Sequence, residues 1–185
     1  MFDRMFPTEV FDMQREFIRV FEAPRDFVFW SELVEEETKE LLQAHNEDEG
    51  MEQVFKESAD LMYVLCGFYN TMPVRTELLL QAELNDTVQA RFNEAMAALN
   101  MVIANYMLPQ YLMIKAMEMV HQSNMTKVGD DGLPIRSDGT DGNAKGKILK
   151  GPNYVAPDMI PCVAEYNRFL DELADAGHLE KVNET

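Results

Sequence analysis

The chain has 185 residues, of which 46% are apolar; that is enough to bury a core and fits a single domain over residues 1–185 better than two. Its 33 acidic residues against 16 Lys and Arg give a formal net charge of -17, which argues against nucleic acid or an anionic membrane as partner and makes cations the natural ligands. Cys66 and Cys162 lie far apart with no CxxC spacing, so neither a disulfide framework nor a zinc site is expected, and both read as buried thiols.

The first residues, MFDRMFPTEV, carry Asp3, Arg4 and Pro7 where a secretory leader needs an apolar run. No stretch approaches the ~18 apolar residues of a membrane span. A cytoplasmic protein is the expectation.

Apolar residues recur at helical spacing and strand-like alternation is absent, so the fold class is all-α, with a core over about residues 8–176. Thr8 is read as the N-cap of a first helix reaching Phe21, and Pro24 closes the connection that follows. A second helix covers Asp26 to His45. A third runs from Met51 to Thr71 ahead of Pro73, and a fourth from Glu77 to Met107 ahead of Pro109. Pro109 suits the first turn of a fifth helix ending near Met125. Residues 127–157 are rich in Gly, Asp, Pro and Lys and read as a long loop. A last helix spans Asp158 to Ala176, with Gly177 as its left-handed cap and Val163, Phe169, Leu170 and Leu173 facing inward; the tail HLEKVNET reads as frayed.

The second helix contains WSELVEEETKELL, in which Glu37 falls in the middle of the apolar stripe of Trp30, Leu33, Val34, Leu41 and Ala44 at about 100° per residue. Glu40 lies within that stripe and Glu36 at its edge. In the third helix, Glu57 and Asp60 share a face with Val54, Leu61, Val64 and Phe68. Two i,i+3 acidic pairs on facing helices make a cluster whose members raise one another's pKa unless a cation offsets them. Carboxylate-only ligands suit Mg2+, or Mn2+ in its place, over zinc.

The pattern Glu36-Glu37-x-x-Glu40 followed by Glu57-x-x-Asp60 resembles the EExxE…ExxD signature of the all-α nucleoside triphosphate pyrophosphohydrolase superfamily, which takes in the MazG-like, dimeric dUTPase-like and phosphoribosyl-ATP pyrophosphohydrolase-like proteins. The downstream segments HQSNMTK, DGLPI, KGKILKGPNY and VAPD are similar to the SNMSK…DG…KGPxYxxP stretch of a MazG-like subgroup. Thr126 stands where that stretch has Ser, and the loop SDGTDGNAKGK is longer than the family's. The resemblance implies a MazG-like bundle in which Glu37, Glu40, Glu57 and Asp60 hold Mg2+ on a triphosphate. Glu36 would be a further ligand or, with Glu37, the group that handles the attacking water. It also implies dimers or tetramers, and a role in nucleotide-pool control.

Lys127, Arg136, Lys145, Lys147 and Lys150 concentrate positive charge in and beside the loop of an otherwise acidic chain. Lysines and Gly-rich backbone suit a polyphosphate. Asn124 and Lys127 are spaced to face the metal cluster together, Lys147, Lys150 and Tyr154 follow in the matched loop, and Trp30 lies two turns from Glu37, where it packs in the core or stacks on a base. The expected reaction is hydrolysis of a nucleoside triphosphate, ribo or deoxy, to monophosphate and pyrophosphate. Two rivals stand beside it. A di-iron bundle needs two Glu-x-x-His motifs, of which only Glu118-x-x-His121 fits, and an acidic interaction protein needs its acids on exposed faces. The helices between Met51 and Met125 are apolar on more than one face, as in VLCGFY and LNMVIANYML, which points to a homodimer or homotetramer.

Overall fold

The computed structural model describes residues 7–72 and 82–177. Six helices occur among them and no strand: α1 (Thr8–Val20), α2 (Phe27–Asn46), α3 (Met51–Thr71), α4 (Ala82–Asn105), α5 (Gln110–Asn124) and α6 (Ile160–Asp175). The expected start of the fourth helix at Glu77 and the tail from residue 178 lie outside the described residues. None of these helices is long and apolar enough to cross a membrane.

The element ends follow local chemistry. The Asp26 carboxylate caps α2 by accepting from the Val28 N–H at 2.9 Å. Thr8 is not the cap of α1: Pro7 holds that position in an extended conformation and Thr8 is the first helical residue. Pro109 likewise sits at the N-cap of α5, one step outside the first turn. Asp158 does not start α6 but accepts from the Ile160 N–H at 3.0 Å, so the helix begins two residues later. Gly177, at φ 77°, provides the left-handed residue after α6.

α3 is the centre of the molecule, packed by α1, α2, α4, α5 and α6. Phe55, Leu61, Met62, Leu65 and Cys66 are fully buried on it; a side chain of that kind contributes about 1.5–3 kcal/mol when removed from water. The apolar run VLCGFY is therefore covered by the chain's own helices, apart from the exposed Tyr69. On α4, α5 and their connection, Met101, Met107 and Tyr111 remain exposed. Gly67 permits the close approach of α2 to α3: a Cβ there would stand 2.3 Å from Trp30 Cε3. The indole of Trp30 lies in that gap, with its Nε1–H donating to the Pro24 carbonyl at 2.8 Å. Both cysteines are free and buried, and burial pushes the Cys66 thiol up to about 12. On α6, Cys162 and Tyr166 are the buried residues, with Val163, Phe169 and Leu170 packed partly against the core and Leu173 half-buried beyond them.

The segment after α5 lacks regular secondary structure but is tied down throughout. An isolated antiparallel bridge pairs Arg136 with Ile148, and the Ser137 N–H donates to the Lys147 carbonyl at 2.9 Å. The Ser123 hydroxyl donates to the Val155 carbonyl at 2.6 Å, and the Val155 N–H donates to Thr126 Oγ1 at 2.8 Å. These bonds return the chain to the end of α5 and bring residues 143–154 beside the middle of α2 and the first half of α3.

Candidate active site

The packing of α2 on α3 decides where the acids meet. One carboxylate oxygen from each of Glu37, Glu40 and Glu57 falls within 4.8 Å of the others. Glu57 is the deepest, only 3% exposed. Its Oε1 accepts from Lys56 Nζ at 2.7 Å and from Gln53 Nε2, while its Oε2 is buried with no hydrogen-bond partner. Glu37 is half-buried and Glu40 exposed, so these two line a mouth and do not sink into the core as their angular positions suggest, whereas Glu57 does. Asp60 stands beside the trio without joining it: its Oδ2 is 3.0 Å from Lys56 Nζ. Glu36 lines the same mouth and accepts from Lys147 of the loop through its Oε1.

Burial dominates the electrostatics of the acidic group, and the charges of neighbouring acids add to it. Burial pushes the Glu37 carboxyl well above the ordinary carboxylate value, helped by the charges of Asp60, Glu40 and Glu57 and opposed by Lys56. Burial also raises Glu57, Lys56 opposes it, and Asp60 and Glu40 add to the rise. Burial works against the charge of Lys56, yet Asp60 and Glu57 outweigh it and hold the ammonium above the usual lysine range.

Facing the acids is the basic wall. Asn124, Lys127 and Lys147 line the same cavity as Glu37 and Asp60, so the i,i+3 pair at the end of α5 does face the acidic group. Burial lowers the Lys127 ammonium, although Asp60 and Glu37 pull it back up; Lys150 and Lys147 lower it further. Lys150 and Tyr154 line the outer mouth, the ammonium 5.1 Å from the ring centre. Arg136 and Lys145 are elsewhere. Arg136 donates to the Phe21 carbonyl and anchors the loop to the end of α1, and Lys145 is exposed away from the cavity. Behind the acids the cavity continues inward between Phe17, Phe29, Trp30, Leu33, Val64 and Ile148. Trp30 is 2% exposed and forms a wall of this inner slot through its packing on Gly67.

Three participants escaped the sequence reading: Lys56, Asn143 and Tyr63, all lining the site. Lys56 was findable, because Lys56 and Asp60 stand at the i,i+4 spacing of a helical ion pair. Tyr63 and Asn143 carry no local signal. The Tyr63 hydroxyl lies 2.9 Å from His121 Nδ1, whose Nε2 is 3.3 Å from Glu16. His121 is thus engaged away from the acidic trio, and Glu118 is exposed, so the Glu-x-x-His pair does not assemble a di-iron centre with those acids.

A divalent cation fits the donor set. The trio is made only of carboxylates, a buried oxygen of Glu57 has no partner, and neighbouring acids add to the rise that burial gives Glu37 and Glu57.

Comparison with known proteins gives an independent result. The family model of phosphoribosyl-ATP pyrophosphohydrolase matches residues 9–97, which hold α1, both acid-bearing helices and most of α4. No curated protein and no solved structure matches the chain. Asn124 and the loop lysines lie beyond the matched segment. Residues 9–97 thus carry a phosphoribosyl-ATP pyrophosphohydrolase domain, of the MazG-like nucleoside triphosphate pyrophosphohydrolase superfamily, and the converging acids lie within it.

Proposed function

We propose that this protein hydrolyses a nucleoside triphosphate, ribo or deoxy, to the monophosphate and pyrophosphate, in a single domain whose core covers residues 8–176. The observation that carries the reading is the convergence of Glu37, Glu40 and Glu57 opposite Asn124, Lys127 and Lys147. Glu37, Glu40 and Glu57, with Asp60 beside them, would hold Mg2+, or Mn2+ in its place. When bound, such an ion lowers the pKa of water and offsets charge on the phosphates.

The chain's own groups do the rest. Lys127, Lys147 and Lys150 hold the polyphosphate as point charges, with the Asn124 amide donating beside them. Lys147 leaves the Glu36 carboxylate for the more highly charged substrate, which frees Glu36 to orient the attacking water and take its proton. Glu37, also assigned to this step by the sequence pattern, keeps its carboxylate turned to Glu40 and Glu57. Lys127 and Lys147 neutralise charge developing on the departing pyrophosphate. The slot between Phe29, Trp30 and Leu33 receives the base, with Trp30 as a fixed wall. The role is nucleotide-pool control in the cytoplasm, by a homodimer or homotetramer that covers Met101, Met107 and Tyr111.

The test is pyrophosphate release from a panel of NTPs and dNTPs in Mg2+, in Mn2+ and in EDTA, with Glu37→Gln alongside. Metal-dependent release that the variant loses supports the reading. Release that persists in EDTA, or phosphate in place of pyrophosphate, contradicts it.

A further inference from the structure

Lys56 occupies an unusual place for a basic residue in a cation site. It stands on α3 and bridges two acids of that helix, with Nζ 2.7 Å from Glu57 Oε1 and 3.0 Å from Asp60 Oδ2. It is only 24% exposed and lines the same mouth as Glu37 and Glu40. The three acids whose oxygens converge are Glu37, Glu40 and Glu57. Lys56 therefore ties Asp60, the acid outside that convergence, to Glu57, the buried acid within it, while the second oxygen of Glu57 has no hydrogen-bond partner.

We propose that Lys56 is a built-in cation that keeps Asp60 out of the metal group, so that a divalent ion completes its site only by breaking the Lys56–Asp60 pair. The inference rests on the metal-site reading above and adds a control on it. With no metal, the ammonium bridges Glu57 and Asp60 and lessens the repulsion among four close carboxylates. A divalent ion brings twice the charge to the same oxygens, so lysine and ion cannot both be held there at full strength. Loading then releases Asp60 to the ion and turns the Lys56 side chain toward the open mouth. The lysine thereby weakens metal binding and holds the acids together without it, and half-filling of the site needs a higher concentration of free metal.

The experiment is Mn2+ binding to the intact chain without nucleotide, followed by the paramagnetic resonance of free Mn2+, with thermal unfolding in EDTA and in saturating Mn2+. Lys56→Met should bind Mn2+ on the order of tenfold more tightly, the effect of removing one like charge at contact distance from a partly solvated site. Lys56→Arg, which keeps the charge, should stay near wild type. The rise in melting temperature from EDTA to Mn2+ should be larger in Lys56→Met than in wild type. Lys56→Gln provides the same comparison if the methionine variant does not fold in EDTA. Wild-type binding that Glu57→Gln abolishes, together with Lys56→Met binding no tighter than wild type, overturns the role of Lys56 and leaves the metal site standing. Equal, negligible Mn2+ binding by wild type and Glu57→Gln overturns the metal site and the inference with it.

Discussion

The acids of the site and Lys56 stand on α2 and α3, where helical geometry and a close helix crossing fix them, whereas the facing lysines, Lys127, Lys147 and Lys150, come from the end of α5 and an irregular loop held by scattered hydrogen bonds. Both walls line one cavity. On the helical wall the backbone under each acid is fixed by helix packing and only the side chains turn; on the loop wall, a long lysine stem rises from backbone without regular structure. The Lys147–Glu36 contact joins the two walls. The difference suggests a rigid cation-binding half and an adjustable polyphosphate-binding half.

The largest effect belongs to the deepest acid of the rigid wall. Glu57→Gln keeps the shape and removes the charge of a residue with an unpartnered buried oxygen. Activity in Mg2+ should fall on the order of 100-fold or more, since even the outer partners of metal ligands are worth 10- to 100-fold. A steady-state rate with the fold checked by circular dichroism measures this; a variant with near wild-type activity would show that the rigid wall is not the cation half.

The rigidity itself can be broken at Gly67. A methyl group there must displace Trp30, and the clash outweighs the better helix propensity of alanine, for a net loss of about 1–3 kcal/mol. Urea unfolding reads the loss, and a rise in KM for nucleotide should accompany it if Trp30 walls the base slot.

The loop wall is sharpened by a matched pair of lysines. Lys147→Gln should raise KM roughly tenfold, the worth of one charge-assisted contact. Lys145→Gln, close by in sequence and away from the cavity, should leave KM and kcat unchanged. Equal effects of the two would mean that the loop contributes only diffuse charge.

The smallest effect is on stability against pH in EDTA. Burial and the charges of Asp60, Glu40 and Glu57 raise the Glu37 carboxyl above the ordinary 4.5. A raised carboxyl binds its proton more tightly when folded, so its contribution is complete below 4.5 and is lost as pH rises through the folded value. The wild-type free energy of unfolding should carry that loss, and Glu37→Gln should remove it, so the difference between the two proteins changes with pH in this window and is flat above it.

The same contrast explains how much was legible in the sequence. The limits of α3, Met51 to Thr71, follow from hydrophobic period and flanking residues, and the structure gives those two residues as its ends. The angular positions of Glu37 and Glu57 place them on the helix faces that meet, because a helix converts sequence spacing into direction without reference to the rest of the chain. Nothing equally local governs the loop. Five basic residues look equivalent between Lys127 and Lys150, yet the bridge of Arg136 to Ile148 and the turn built by Ser137 and Asp141 send Arg136 to the end of α1 and Lys145 to solvent. The all-round apolarity of α3 misled in another way: a central helix and a helix at a subunit interface carry the same pattern, and only the packing of five neighbours tells them apart.

The central claim is that the acidic group and the lysines together direct water to the α-phosphorus. Hydrolysis of a nucleoside triphosphate in 18O-labelled water, with the products resolved by mass spectrometry, tests it most directly. The account predicts one 18O atom in the nucleoside monophosphate and none in the pyrophosphate. Label in the pyrophosphate would place the attack on the β-phosphorus, and unlabelled or unhydrolysed nucleotide would contradict the hydrolytic reading altogether.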